Sequence, residues 1–287
     1  MRRSVPCSIS LVALLAWHGA GEVPNFPIAT VCSAAEDVSD VRTDAGRARL
    51  HAELDAEILR LTAEIDKSPN SVDLYSRRGD QLFFRGEFAK SVADFEKMVE
   101  LQPDQETSHW RRGIAYFYAE QFPKAAHQFE IYHSFDNVDR ENGIWRYLSQ
   151  VKAIGREAAR KGLLKYEKDD REPFPDVYRL FAGELTGDEV LARIKLAKIA
   201  PGERDKRLFY AELYVGLNDF VEERLESAER HLGEAVGNRW GKAAGGGPGW
   251  MWHVGRVHFD LLRAERETRE KPDGARGKHR RAGKPHQ

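Results

Sequence analysis

The segment RRGDQLFFRGEFAKSVADFE, residues 77–96, returns 34 residues later as RRGIAYFYAEQFPKAAHQFE, residues 111–130, with eight of twenty positions identical. No other feature restricts the fold as much. A unit this short holds two helices but cannot bury both apolar faces by itself, so it is stable only when stacked on similar neighbours. In the first unit Tyr75, Gly79, Leu82, Ser91, Phe95 and Pro103 supply bulky, small, bulky, small, aromatic and helix-ending residues. The second repeats the series with His109, Gly113, Tyr116, Ala125 and Phe129, and has Asn137 where the proline stood. Each glycine lets the two helices of its unit approach closely, and the aromatic of the second helix fills the space that is left.

The flanking sequence reads as further helices. In RARLHAELDAEILRLTAEID, Leu50, Leu54, Ile58, Leu61 and Ile65 recur at spacings of four and three, which places them on one helix face before Pro69 and Asn70 stop the helix. ENGIWRYLSQVKAIGREAARKGLLKYE predicts another helix pair turning near Gly155. Thr186 and Glu189 form a capping box opening DEVLARIKLAK. Residues 204–237 form a degenerate third unit, with Phe209, Tyr210, Leu213 and Tyr214 followed by Ala228, Leu232 and Ala235, and with its turn stretched around NDFVEER. After the glycine-rich GKAAGGGPG, the helix WMWHVGRVHFDLLRAERE is expected to cap the stack. The predicted organisation is a signal peptide over 1–35, a polar linker over 36–45, a repeat domain over 46–269 (clearest units 72–105 and 106–139), and a basic disordered tail over 270–287.

A 34-residue period with helical patterning is the tetratricopeptide signature, so the expected fold is an all-α, tetratricopeptide-type α-solenoid of about ten to twelve helices. From about residue 46 to 262 the order of pieces resembles the NlpI-type tetratricopeptide lipoproteins of bacterial envelopes: a leading helix, two good units, a WRYL helix, the block FPDVYRLFAGELTGDEVLARIK, an FYAELY unit and a closing helix. The resemblance is most specific over 173–195. It implies an all-helical adaptor, able to dimerise, that faces the periplasm and holds envelope proteases or cell-wall hydrolases near their substrates.

Export is expected from the N-terminus itself, where Arg2 and Arg3 precede the apolar run ISLVALLAW, too short to span a bilayer as a helix. Ser33 and Ala35 are the small pair for cleavage after Ala35. The two cysteines, Cys7 and Cys32, both fall before that cut, so a mature chain has no internal disulfide. Two outcomes stay open at Cys32. Soluble export to the periplasm or medium is favoured because Val31 stands where lipid attachment wants a small residue; lipid anchoring is the alternative. Membrane contact is otherwise expected only through the basic tail.

Lys and Arg number 45 against 46 Asp and Glu, and nucleic acid is not an expected partner, because phosphate binding wants clustered positive charge. Nor is catalysis expected. His253, His258 and Asp260 have the wrong spacing for a shared metal, and GNRWGKA (237–243) lacks the length and hydroxyl of a phosphate loop. Acidic pairs such as Asp169–Asp170 and Glu222–Glu223 read as solvated helix ends, and no cofactor is implied.

Binding is the remaining class. With Gly79 and Gly113 as reference, counting along the first helix of each unit places Asp73, Ser76, Arg77, Asp80, Phe83 and Phe84, then Thr107, Trp110, Arg111, Ile114, Phe117 and Tyr118, on the concave face, of which Arg77, Phe83, Phe84, Trp110, Arg111, Phe117 and Tyr118 are the expected binding residues. Aromatics beside arginine suit a protein-binding groove: large contact area at low entropy cost, plus a forked donor for carboxylates. Two occupants are possible besides a partner protein, namely the leading helix 46–67 or a second copy of the chain in a homodimer. Arg78 and Arg112 are expected to pack their stems against the stack with solvated heads.

Overall fold

In a computed structural model, which describes residues 40–168 and 170–270, the chain is all-α, with thirteen α-helices and no strand among the described residues. The expected signal peptide, both cysteines and the tail from 271 onward lie outside the described residues. Helix α1 (Asp44–Lys67) starts where the Thr43 hydroxyl accepts the Gly46 amide, and its stripe of Leu54, Leu61 and Ile65 is buried. Then come α2 (Val72–Arg85), α3 (Phe88–Leu101), α4 (Trp110–Tyr118) and α5 (Phe122–Phe135), the two repeats of the sequence. They are followed by α6 (Arg140–Ile154), α7 (Arg156–Lys161), α8 (Phe174–Ala182) and α9 (Gly187–Leu196), the last opened by the Thr186–Glu189 capping box. Helices α10 (Pro201–Val221), α11 (Leu225–Gly237), α12 (Arg239–Ala243) and α13 (Gly246–Glu270) complete the chain. The short α7 and α12 account for the excess over the expected helix number.

Three units are built to one plan. A Cβ on Gly79 would lie 2.6 Å from the Phe95 ring, one on Gly113 2.7 Å from Phe129, and one on Gly216 2.8 Å from Leu232. Each glycine precedes its partner by sixteen residues, so the third unit keeps the register and replaces the aromatic by leucine. Seven residues after each glycine the backbone turns left-handed: Gly86 (φ 87°), Glu120 (φ 59°) and Glu223 (φ 63°). The amide that follows each of them bonds back across the turn, Glu87 to the Leu82 carbonyl at 2.8 Å, Gln121 to Tyr116 at 2.8 Å and Arg224 to Asp219 at 2.9 Å. This is the Schellman helix ending. The turn at NDFVEER, expected to be stretched, is therefore the same as the other two. Its extra length lies at the front of α10, which has 21 residues against 14 in α2 and 9 in α4.

Arg78 and Arg112 also differ from expectation. Arg78 grips the buried Asp94 with two hydrogen bonds, of 2.8 and 2.7 Å, instead of holding a solvated head. One period later Arg112 donates to Gln128 at 2.8 Å, so the clamp between the two helices repeats while its acceptor changes from carboxylate to amide. Of the acidic pairs, Glu223 is the solvated helix end expected, whereas Asp170 and Glu222 are not. Asp170 leaves 6% of its side chain exposed and accepts the Arg140 amide at 2.9 Å, and Glu222 pairs with both Arg156 and Arg160 at 3.2 Å. At the centre Trp145 is 2% exposed, packs edge-on to Phe117 and donates its indole N–H to Tyr214 at 3.2 Å. Burial of each such ring contributes about 1.5–3 kcal/mol.

Candidate functional site: the concave face

The positions counted from the repeats converge, and the chain covers most of them itself. Helix α13 packs on α11 as the expected closing helix, and it also lies along the inner face. Trp250 stacks on Phe83, with ring centres 4.6 Å apart and planes 20° apart, and its edge meets Trp110 at 5.0 Å. One turn on, His253 stacks on Phe84 at 3.8 Å. Further on, His258 shares a 2.9 Å hydrogen bond with the Tyr118 hydroxyl. Burial pushes both imidazoles down to a pKa of about 3, which keeps them neutral in these contacts. Arg256, 1% exposed, donates to the Phe84 carbonyl and to Asp260 at 2.9 Å, and Asp260 receives Arg47 of α1 at 3.1 Å. Phe83, Phe84 and Tyr118 are buried beneath α13, and Phe117 is buried against Phe122 and Trp145. Within the chain the cover of the first three rings is α13, which was not among the occupants considered from sequence.

The two equivalent arginines part company. Arg111 donates to Asp80 at 2.6 Å and to Ser76 at 3.0 Å. Asp80 also takes the Trp250 indole N–H at 2.9 Å, so Arg111 belongs to the lock that holds α13. Arg77 stays 46% exposed and leans toward Glu57 of α1 at 3.4 Å and Asp73 at 3.7 Å.

Where α13 begins, a recess of about 260 Å³ stays open between α4, α5, α6, α10 and α13. Trp110 and Ile114, then Phe129 and Tyr132, then Trp145 and Tyr210 form its apolar walls, and Met251 and Pro248 close one side. Asp139, Glu141, Asn142 and Arg171 supply the polar lining. Asp139 is the N-cap of α6, accepting the Glu141 amide at 3.0 Å. Arg171 pairs with Glu141 and lies 3.6 Å from Asp139 and 3.3 Å from Asp170. Its guanidinium rests on the Phe174 ring, 4.3 Å from the centre.

Glu141 accepts the Tyr214 hydroxyl at 2.5 Å. Burial pushes its carboxyl up to about 7, against the opposing pull of Arg171. Burial raises Asp139 in the same way. Asn142 is 3% exposed, and its carboxamide interacts with the Tyr166 hydroxyl, which also faces the Gly143 backbone.

Of the residues counted onto the groove face, Trp110 and Ile114 reach this opening. Asp139, Glu141, Asn142 and Arg171 escaped sequence reasoning. Asp139 and Glu141 look like an ordinary acidic helix start, and nothing local ties them to Arg171 thirty residues on. Chemically the recess offers hydrogen bonds, aromatic faces and an acidic bias around one guanidinium. No model of a known protein family matches the chain.

Proposed function

We propose that the chain is a non-catalytic adaptor of the bacterial cell envelope, a tetratricopeptide-type scaffold that holds peptide segments of partner proteins against its concave face. What carries this reading is the open recess beside α13, in which the aromatic walls of Trp110, Trp145 and Tyr210 surround the polar groups of Asp139, Glu141 and Arg171. The 34-residue repeats and the common plan of three units support the solenoid class. The N-terminal Arg2–Arg3 and apolar run support export, and the resemblance over 173–195 supports the envelope setting. The test is capture from a bacterial envelope extract with the wild type and with Gly247→Trp. A Cβ at Gly247 meets nothing within 4 Å, so the new ring would block the mouth without disturbing the packing. Reproducible partners that Gly247→Trp loses would support the reading; a wild type that captures nothing specific would overturn it.

A second reading, a self-associating structural protein, is favoured by one observation. Cβ atoms on Gly245, Gly246 and Gly247, where α13 starts, would meet nothing within 4 Å, so this hinge is sterically free. Exchange of α13 between two copies would satisfy every groove contact equally well. Light scattering decides it, since a strictly monomeric chain removes this reading.

A further inference from the structure

We propose that the recess is a receptor for a tyrosine side chain of a bound peptide, whose ring enters among Trp110, Trp145 and Tyr210 and whose hydroxyl donates to Asp139. The inference rests on the adaptor reading and names the chemistry of its ligand.

Size comes first. At about 260 Å³ the recess falls just below the range of sites that engulf whole cofactors or drug-sized ligands, and it suits one large side chain. Charge comes second. Arg171 pairs with Glu141 and lies 3.3 Å from Asp170 and 3.6 Å from Asp139, so the guanidinium and the carboxyls already answer one another. The burial that pushes Glu141 up to about 7 leaves it partly protonated near neutral pH. A cation would therefore find these carboxyls engaged, and an anion would be met by three of them. A neutral group is what remains. The walls of Trp110, Trp145, Tyr210 and Phe129 suit a ring, since aromatic side chains packed edge to face gain beyond their burial.

One oxygen separates tyrosine from phenylalanine. Asp139 lines the recess and keeps 22% of its side chain exposed. Its Oδ1 accepts the Glu141 amide at 3.0 Å, and no hydrogen bond reaches its Oδ2 among the described residues. Burial raises this carboxyl, as befits a desolvated group short of donors. A phenol supplies the missing donor, and a buried phenol in turn needs an acceptor. The chain builds the same pair beside it, where the Tyr214 hydroxyl donates to Glu141 at 2.5 Å. A peptide has a way in, because Gly247 at the mouth carries no side chain to obstruct it.

The experiment titrates the full chain with the end-blocked peptide Gly-Gly-Tyr-Gly-Gly and its phenylalanine and lysine counterparts, following the indole NMR signals of Trp110 and Trp145. The tyrosine peptide should give saturable shifts with a Kd on the order of 1 mM, the phenylalanine peptide should bind at least about fivefold more weakly, and the lysine peptide more weakly still. Asp139→Ser keeps a helix cap but removes the second oxygen, so it should bind the tyrosine and phenylalanine peptides alike with the thermal midpoint retained. The proposal falls if no saturable shift occurs up to about 10 mM, if phenylalanine or lysine binds the wild type as well as tyrosine does, or if Asp139→Ser keeps the preference for tyrosine. The two readings fail separately. Envelope partners that excess tyrosine peptide does not displace would leave the adaptor standing and sink the tyrosine receptor. A saturating tyrosine peptide with an empty envelope capture would do the reverse.

Discussion

The three matching turns allow a prediction with a worked magnitude. Glu120 and Glu223 hold left-handed backbone, with φ of 59° and 63°, at the place where the first unit uses Gly86. Both glutamates are exposed, and neither side chain makes a hydrogen bond or ion pair among the described residues. Replacing them by glycine therefore removes backbone strain and no contact. The left-handed conformation costs a residue with a Cβ about 1–2 kcal/mol. Glycine returns about 0.5–1 kcal/mol of that through its freer unfolded chain.

The net expectation is a gain of about 0.5–1 kcal/mol for each of Glu120→Gly and Glu223→Gly, and about 1–2 kcal/mol together, because the two turns share no partner. Gly86→Ala should lose about the same amount as one substitution gains, since a Cβ there meets nothing within 4 Å and only the dihedral is at issue. Urea unfolding followed by far-UV circular dichroism, with the slope unchanged, measures all of these. A Glu120→Gly variant less stable than the wild type, beside a neutral Gly86→Ala, would refute the common-turn argument.

Two further outcomes follow from the inner face. Trp250→Ala should cost about 3–5 kcal/mol, as for other buried aromatics cut to alanine, and should expose the Gly245–Gly247 hinge to protease; a loss below about 1 kcal/mol would mean that the ring stack does not hold α13. Glu141→Gln tests the buried carboxyl. With its pKa raised from 4.5 to about 7, the folded state binds the proton more tightly, so this group's stabilisation is complete below about 4.5 and is lost as pH rises toward 7. The stability difference between wild type and Glu141→Gln should move against the wild type by up to about 3 kcal/mol over that window, and a difference independent of pH would show that Glu141 is not desolvated.

The local plan of the fold was legible in the chain because it is written at short range. The glycine and its filling residue stand sixteen positions apart, and the helix stripes recur every three or four. Register therefore placed Phe83, Phe84, Trp110 and Tyr118 together on one face. What covers them was not legible, since Trp250 meets Phe83 across a separation no local pattern reports, and the same apolar stripe serves a capping helix equally well. Arg78 hid its role for a related reason: Asp94 looks like a solvated residue on its own helix and becomes a partner only when two helices close. The recess was hidden most deeply. Glu141, Asn142 and Arg171 become a site only after α6, α10 and the segment before α8 have packed, and each alone reads as surface chemistry.

The placement of α13 also sets how this molecule must be made and how long it can be. A simple stack gains stability one unit at a time and has an open end where another unit could be added. Here the last helix reaches α1 through Asp260 to Arg47, and the residues just before α1 through Arg263 to the Arg42 carbonyl at 2.5 Å. The number of units is therefore fixed, because an inserted repeat would carry one side of this closure out of reach of the other. During synthesis Phe83, Phe84, Trp110 and Tyr118 emerge well over a hundred residues before Trp250, His253 and His258. Until those arrive the nascent chain carries an uncovered aromatic strip, so a chain cut short before α13 is the form most prone to aggregate.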